Sequence, residues 1–418
     1  MPSPNPPDLR GHTMRFGYFL NSNNLGLHKT FTEVLNEGRE IAKFCDQHGW
    51  HSIWTTEHHF GHEGLEVCPN PVLMCADLAA HTRKLRIGQA ASIITFRNPL
   101  QVAEDVAMLD HMSGGRVEFG VGRGIYPRET LNMNPIADVR NPAVNRELFA
   151  EGLEVIRRAW TEEFFSYSGK HFEYPYPGVS FPHPMSAPLP DNTDPDTGDI
   201  TALALVPRPL QDPHPPIWQV VDTEPSIISA AQMGLNVMFW IPPTDALVPR
   251  FELYRDTASE AGKEIPLGSG VAVLRDMCVT ETMKEAEELA GEALLRYVRW
   301  VCHYRGLENH RYPGEELPET DNKLDLLSYD WVHPRNLLFG TPEYVTEKIQ
   351  EMKDKLNLQD LLVWSSFPGM QHEATMASIE LFTEQVMPQF IEDDSVEDDG
   401  VDDDSVDDEQ ADDLKGVA

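Results

Sequence analysis

Long apolar runs are missing from this sequence. No stretch approaches the roughly 20 consecutive apolar residues that a bilayer-spanning helix requires. The opening residues, MPSPNPPDLRGH, also lack the basic stretch and apolar core of a secretory signal peptide. We therefore expect a cytoplasmic protein that has no membrane partner.

Cysteine is scarce as well. The chain has 5 cysteines in 418 residues, an odd number at wide spacing. This pattern is not typical of a disulfide framework or of paired metal ligands. We expect buried thiols and no metal site.

Basic residues are outnumbered by acidic residues. The chain has 33 Lys and Arg against 68 Asp and Glu, for a formal net charge of −35. A nucleic acid would be repelled by such a surface, so we expect no nucleic-acid partner. Residues 391–418 carry 14 acidic residues and one lysine and are predicted to form a disordered acidic tail. Residues 1–13 are predicted to be an N-terminal extension.

Short β-branched runs alternate with amphipathic stretches of helical length between residues 14 and 390. This order predicts a parallel sheet wrapped by helices, and the fold class α/β, a (β/α)8 TIM barrel with insertions. The eight predicted strands are 14–20, 51–55, 85–93, 116–121, 217–221, 237–240, 271–279 and 361–364. Helices are predicted over 31–48, from Pro71, over 99–112 and over 145–160.

Residues 175–215 are rich in proline and show little periodicity. An irregular segment of this length inside a domain is usually functional or disordered. We predict a lid-like insertion over the barrel mouth, with a floppy surface insertion as the alternative. A short hairpin is predicted just before it, within FFSYSGKHFEY, and residues 311–334 are polar and loop-like.

Polar side chains follow the second predicted strand, at the end where TIM barrels carry their chemistry. These residues are Glu57, His58 and His59. Adjacent side chains on an extended segment point in opposite directions, which argues against one metal ion bound by both histidines. An imidazole with a near-neutral pKa can instead move a proton. A histidine that is simply hydrogen-bonded into the rim is the alternative.

An arginine stands between two glycines after the fourth predicted strand. The guanidinium of Arg123 could bind a phosphate, while Gly122 and Gly124 would let the backbone approach closely. Pairing of Arg123 with a rim carboxylate is the alternative. The segment GVGRG matches neither the GxGxxG of dinucleotide folds nor the GK[ST] of nucleotide loops.

A second candidate anion site follows the fifth predicted strand. Asp222, Thr223 and Ser226 begin a predicted helix whose next residues are apolar. The hydroxyls and free amides at a helix N-terminus can bind an anion. They can equally cap the helix, and the two roles are compatible.

Three segments resemble the bacterial luciferase-like flavin-dependent monooxygenases. They are MRFGYFL, WTTEHHF and NPLQVAEDVAMLDHMSGGRVEFGVGRG, and the resemblance extends over about residues 14–390. It implies an enzyme that uses reduced FMN and molecular oxygen to oxidise a small organic substrate. A separate flavin reductase as partner and a homodimer are implied as well.

The resemblance also implies the site residues. His58 and His59 match the catalytic motif, with His58 acting in the oxygenation steps. Ala90 and Ala91 match a pair joined by a non-prolyl cis peptide beneath the flavin ring. The full set implied to bind the cofactor is Glu57, Ala90, Ala91, Gly122, Arg123, Tyr126, Asp222, Thr223, Ser226 and Trp240.

Two positions depart from the family pattern. Gly122 stands where luciferase has a reactive cysteine beside the flavin, which argues against light emission from a long-chain aldehyde. Asp222 replaces a glutamate and shortens the side chain by one methylene. Two other functions stay open: a deazaflavin-dependent hydride-transferring oxidoreductase and a non-catalytic flavin-binding protein. The motifs do not specify the substrate.

Overall fold

Eight parallel strands close into a barrel in this computed structural model, which describes residues 13–391. The barrel strands, in their order around the barrel, are β1 (Arg15–Leu20), β2 (Ser52–Thr55), β3 (Arg86–Gln89), β5 (Val117–Gly122), β8 (Ile217–Val220), β9 (Asn236–Phe239), β10 (Val271–Val279) and β12 (Asp360–Trp364). The ring closes because β1 pairs with both β12 and β2. The predicted TIM barrel is confirmed. The predicted acidic tail and N-terminal extension lie outside the described residues, apart from residues 13 and 391.

The remaining strands are short and lie outside the ring or extend it. β4 (Ser92–Ile93) pairs with β5, β6 (Tyr167–Ser168) pairs with β7 (Glu173–Tyr174), and β11 (Leu337–Gly340) pairs with β10. The β6–β7 pair is the hairpin predicted from the sequence. The sequence did not predict β11, because this strand has only four residues and follows a polar segment.

Twelve helices are found in the described part of the chain. They are α1 (Phe31–Gln47), α2 (Pro71–His81), α3 (Pro99–Ser113), α4 (Pro127–Met133), α5 (Pro142–Thr161), α6 (Glu224–Gln232), α7 (Thr244–Glu260), α8 (Met283–Ala286), α9 (Glu292–Arg305), α10 (Tyr329–Asn336), α11 (Pro342–Leu356) and α12 (His372–Gln385). The predicted starts of α2 and α3 are correct: Asn70 and Asn98 accept hydrogen bonds from the backbone N–H of Leu73 and Leu100. None of the helices in residues 13–391 is long and apolar enough to cross a bilayer.

Large aromatic side chains help to fill the inside of the barrel. Trp54 of β2 and Trp218 of β8 are buried, and their rings meet edge to face at 5.6 Å. Gly88 of β3 makes this possible, since a Cβ there would collide with the Trp54 indole. The interior below the site is therefore closed by packing, and a ligand can enter only from an end of the barrel.

The third predicted strand is interrupted. The sequence predicts one strand over 85–93, whereas the structure has β3 and β4 separated by the residues Ala90 and Ala91. The peptide bond between these two alanines is cis. The interruption directs the chain past the C-terminal end of β3 before it pairs again with β5.

The lid role of the insertion over 175–215 stays a prediction. None of its residues lines the cavity at the C-terminal end of the barrel. Its second half is instead bonded near the opposite end, where the Gln211 backbone N–H donates to Asp110 (2.8 Å) and its side-chain amide donates to the Val117 carbonyl (2.9 Å). These polar groups at the end of α3 and the start of β5 hold the segment against the outside of the barrel.

A different insertion covers the barrel mouth. It lies between β10 and β11 and contains α8, a π-helical turn over 287–291, α9 and α10. Buried residues of α9, such as Leu294 and Val298, pack with Trp364 and Phe367 at the end of β12. The insertion after β10, the seventh barrel strand, therefore covers the mouth. The sequence had predicted a cover in the insertion after β5, the fourth barrel strand.

Candidate active site

A cavity of about 1290 Å³, counted with its open mouth, lies at the C-terminal ends of the barrel strands. Every predicted site residue except His59 lines it. These are Glu57, His58, Ala90, Ala91, Gly122, Arg123, Tyr126, Asp222, Thr223, Ser226 and Trp240. The barrel brings them together because parallel strands deliver their C-terminal ends to one face. In the described part of the chain, no group of three or more His, Cys, Asp or Glu residues is arranged to hold a metal ion.

His58 lies between two carboxylates. It follows β2, and its backbone N–H donates to the Cys68 carbonyl at 2.9 Å. Its Nε2 is 3.3 Å from Glu66 Oε1, and its Nδ1 is 3.3 Å from Glu129 Oε1. Burial lowers the pKa of His58, but the attraction of Glu66 and Glu129 outweighs burial, so the pKa is raised above its ordinary value. His58 can therefore carry a proton at the cavity wall.

Glu66 connects this histidine to two tyrosines. Its Oε1 accepts hydrogen bonds from Tyr297 (2.7 Å) and Tyr126 (3.3 Å). Burial and the nearby Glu66 carboxylate raise the pKa of both phenols. Both tyrosines therefore stay protonated and act as hydrogen-bond donors.

His59 does not line the cavity, and its ring is hydrogen-bonded at the rim, as the alternative interpretation describes. Its Nε2 lies 3.0 Å from Glu57 Oε1, and its ring packs edge to face against Phe96. Glu57 also accepts from Arg97 (3.1 Å) and from the Ile93 backbone N–H (2.8 Å). The side chains of His58 and His59 diverge because they are adjacent on an extended segment. His59 and Arg97 thus fix Glu57 at the edge of the cavity.

Arg123 lies at one end of the cavity and is held by α5. Its Nη1 donates to Asn145 Oδ1 (2.8 Å), while the Asn145 amide donates back to the Arg123 carbonyl (3.0 Å). Burial, with the nearby Arg146, lowers the pKa of Arg123, yet a guanidinium remains charged at neutral pH. The alternative of a rim carboxylate partner is not what the structure shows, since the partner is a neutral amide.

Thr223 and Ser226 form a helix cap. The backbone N–H of Thr223 donates to Ser226 Oγ (3.1 Å), and Ser226 Oγ donates to the Thr223 carbonyl (2.7 Å). The capping interpretation is therefore observed. Both residues also line the cavity, so the start of α6 faces it. Together with Arg123 they give this cavity a group of anion-binding donors.

Asp222 and Trp240 both contact Arg305 of α9. Asp222 accepts from Arg305 Nη1 at 2.8 Å. The guanidinium of Arg305 also lies over the Trp240 ring, 5.9 Å from its centre. The Trp240 indole N–H donates to the buried carboxyl of Asp276 at 3.1 Å.

Sequence reasoning missed the residues of α9 that close the site. Tyr297, Val301 and Arg305 all line the cavity. Their spacing of four residues places them on one face of a helix, and this signal is visible in LLRYVRWVCHYR. Glu66 and Glu129 carry no comparable signal, because they come from a loop and a short helix that only the fold brings to His58.

The described fold and site agree with a comparison against protein families. The model of the luciferase-like monooxygenases matches residues 14–356. The chain belongs to this family. The resemblance drawn from the three sequence segments is thereby confirmed.

Individual members of the family share most of their length with this chain. The oxygenase component of the flavin-dependent trigonelline monooxygenase of Acinetobacter baylyi is 27% identical, over 91% of this chain and 96% of the relative. The crystal structure of monooxygenase RslO1 from Streptomyces bottropensis is also 27% identical, with a TM-score of 0.71 over 90% of this chain and 100% of RslO1.

More distant structures share the fold. The oxygenating constituent of 3,6-diketocamphane monooxygenase from Pseudomonas putida, solved in complex with FMN, has a TM-score of 0.71 at 21% identity, covering 90% of this chain and 99% of that one. An F420-dependent secondary alcohol dehydrogenase has a TM-score of 0.63 at 18% identity, covering 91% of this chain and 100% of that one. The same fold is thus found in an enzyme solved with FMN and in an F420-dependent enzyme.

Proposed function

We propose that this protein is the oxygenase component of a two-component monooxygenase, which uses reduced FMN and oxygen to oxidise a small organic substrate. The observation that carries the proposal is one cavity that joins anion-binding donors to a histidine held between two carboxylates. The family assignment and the flavin-dependent relative from Acinetobacter baylyi support it.

The residues of the cavity fit the parts of FMN. Arg123, Thr223 and Ser226 match a phosphate, because they offer a cation and hydroxyls at a helix start. Two acceptors at the cavity match the N–H groups of a flavin ring. Among the described residues, Gln219 Oε1 and Asp222 Oδ1 are buried and have no hydrogen-bond partner.

Small residues leave room for a flat ring. Ala90, Ala91 and Gly122 adjoin one another at the cavity wall. A Cβ on Gly122 would lie 2.8 Å from the Ile93 side chain and 3.1 Å from the Cβ of Ala91. Glycine at position 122 therefore lets β5 lie close to Ala91 and Ile93 at this wall.

Reduced FMN, when bound, would supply the electrons that activate molecular oxygen. The chain's own residues would bind the cofactor, hold a proton and exclude water. Arg123 would hold the phosphate, His58 would keep a proton at the cavity wall, and α9 would exclude water. Exclusion of water matters because it favours transfer of oxygen to the substrate over release of hydrogen peroxide.

Oxygen uptake with chemically reduced FMN tests this function. We expect a screen of aldehydes, ketones, aromatics and sulfur compounds to include one that increases product-forming oxygen consumption. Turnover that requires a reduced deazaflavin and leaves oxygen untouched would instead support the hydride-transfer alternative, since deazaflavin does not activate oxygen. Flavin binding without turnover under both conditions would support a binding protein.

We also propose a homodimer and a separate flavin reductase. Three large apolar side chains are exposed on α2 and α3: Leu73 (68%), Met112 (62%) and Met108 (53%). α2 packs directly on α3, so these side chains belong to neighbouring elements. Light scattering tests the dimer, and substitution of all three by lysine should give a monomer. Activity supported by a reductase that supplies FMN in solution would test the second partner.

A further inference from the structure

One carboxylate oxygen lies close to three side-chain donors beside the cavity. Glu66 Oε1 accepts from Tyr297 at 2.7 Å and Tyr126 at 3.3 Å, and it lies 3.3 Å from His58 Nε2. The Glu66 side chain is only 6% exposed. A carboxylate surrounded in this way is fixed in place and largely shielded from water.

The other side of the histidine ring meets a second buried carboxylate. Glu129 Oε1 lies 3.3 Å from His58 Nδ1 and also accepts from the His59 backbone N–H at 2.8 Å. Both ring nitrogens of His58 therefore face acceptors. A neutral imidazole has no charge and only one N–H, whereas an imidazolium can hydrogen-bond to Glu129 and form an ion pair with Glu66.

We propose that Glu66 is a positioning residue, which together with Glu129 clamps His58 as a doubly protonated imidazolium with its ring at the cavity wall. This inference rests on the proposed role of His58. Glu66 acts through the histidine, whose Nε2 lies 3.3 Å from the Glu66 carboxylate. At neutral pH His58 then holds its proton between the two carboxylates at the cavity wall and does not serve as a free base.

The covering helix takes part in the same cluster. Tyr297 lies on α9, and its hydroxyl makes the shortest hydrogen bond to Glu66 among the described side chains. Arg305, on the same face of α9, is close enough to attract the Glu66 charge. Glu66 therefore has its full set of donors only when α9 lies over the mouth.

The carboxylates around His58 all raise its pKa. Glu66, Glu129 and Glu57 attract the imidazolium and raise its pKa, while burial opposes them. Tyr126 faces the ring at 5.6 Å between centres and stays neutral. The carboxylates outweigh burial, which agrees with an imidazolium.

Nitrogen NMR of the full-length chain with labelled histidine tests the inference. The His58 signals are assigned by their loss in His58→Asn. We expect both His58 nitrogens to be protonated at pH 7 in the unsubstituted protein. In Glu66→Gln, which keeps the shape but removes the charge, the titration midpoint of His58 should fall by about one pH unit. The control Glu63→Gln should leave the midpoint unchanged, because Glu63 pairs with Arg128 instead.

A neutral His58 in the unsubstituted protein at pH 7 would overturn the inference, even if Glu66→Gln did not fold. An unchanged midpoint in folded Glu66→Gln would overturn it as well. These readings need no flavin and no substrate. Failure of the clamp is therefore distinguishable from failure of the proposed monooxygenase function, which oxygen uptake tests.

Discussion

The guanidinium of Arg305 lies 2.8 Å from the carboxylate of Asp222 and fastens α9 to the loop after β8. The pair is mostly buried, with 15% of the arginine side chain and 27% of the aspartate side chain exposed. Burial lowers the pKa of Arg305, but Asp222 together with Tyr126, Tyr297 and Glu66 outweighs burial and raises it, so the arginine stays charged. The covering helix is thus held at its C-terminal end by a charged contact across the cavity mouth.

Arg305→Ala should loosen this cover without removing a cofactor-phosphate donor. We expect the fraction of consumed oxygen released as hydrogen peroxide to rise several-fold, because water would enter the cavity. The measurement is peroxide against total oxygen uptake with reduced FMN and substrate. His303→Ala, an exposed position on the same helix, is the matched control. If both variants release the same fraction of consumed oxygen as hydrogen peroxide, the Arg305 contact does not exclude water.

His58→Ala should leave FMN binding largely intact and lower turnover about a hundredfold, within the range for loss of a general acid or base. The physical reason is that the ring lines the cavity, while the anion-binding donors lie elsewhere. Flavin fluorescence measures the binding and oxygen uptake measures the turnover. If binding is lost to the same extent as turnover, His58 holds the flavin and does not serve the reaction.

Arg123→Ala should weaken FMN binding about tenfold or more, as expected for loss of a charge-assisted hydrogen bond. Riboflavin, which has no phosphate, should lose much less affinity. Titration of both flavins into the variant checks this difference. The control is Arg140→Ala, whose partner is the surface residue Asp138. Similar losses for FMN and riboflavin would remove Arg123 from the phosphate site.

Two glycines on β5 should respond differently to alanine. A Cβ on Gly120 would overlap the carbonyl oxygen of Gln89, so Gly120→Ala should cost about 3 kcal/mol of stability or prevent folding. A Cβ on Gly122 would meet the flexible end of Ile93 at 2.8 Å and the Cβ of Ala91 at 3.1 Å, so Gly122→Ala should cost less stability than Gly120→Ala. Thermal unfolding of the two variants measures the contrast. Equal melting temperatures would contradict the backbone clash.

Asp276 should make the protein less stable as pH rises. Burial raises the pKa of Asp276 to about 7, whereas the pKa of an aspartate in the unfolded chain is about 3.9. The folded chain therefore binds more protons between these values, and its stability falls as pH increases through them. We expect the fall in melting temperature from pH 5 to pH 8 to be smaller in Asp276→Asn than in the unsubstituted protein. Asp256→Asn, at an exposed position beside Arg255, should keep the full fall.

The sequence predicted the eight barrel strands because their apolar runs and terminal Gly, Asn and Pro residues are local signals. The starts of α2 and α3 were found in the same way, from Asn-Pro pairs. The cis bond between Ala90 and Ala91 was anticipated only through the family resemblance, since nothing in two alanines indicates it.

Local sequence signals did not predict which insertion covers the barrel mouth. Residues 175–215 have the composition of a lid, but Gln211 bonds them near the opposite end of the barrel. The sequence of α9 is that of an ordinary amphipathic helix. Helix α9 covers the cavity only because the fold places it after β10, over the barrel mouth. Which loop reaches over a barrel depends on long-range contacts that no window of sequence contains.

By itself, the sequence determined the barrel, the strand ends that carry polar residues and the excess of negative charge. Periodicity and turn chemistry act between near neighbours in the chain, so they are readable there. Tertiary structure alone decided that Glu66 and Glu129 flank His58, that Tyr297 bonds to Glu66, and that His59 is the histidine that turns away. These residues come from a loop and two helices far apart in sequence. The two carboxylates act on His58 only because packing brings them within hydrogen-bonding or ion-pair distance in a site shielded from water.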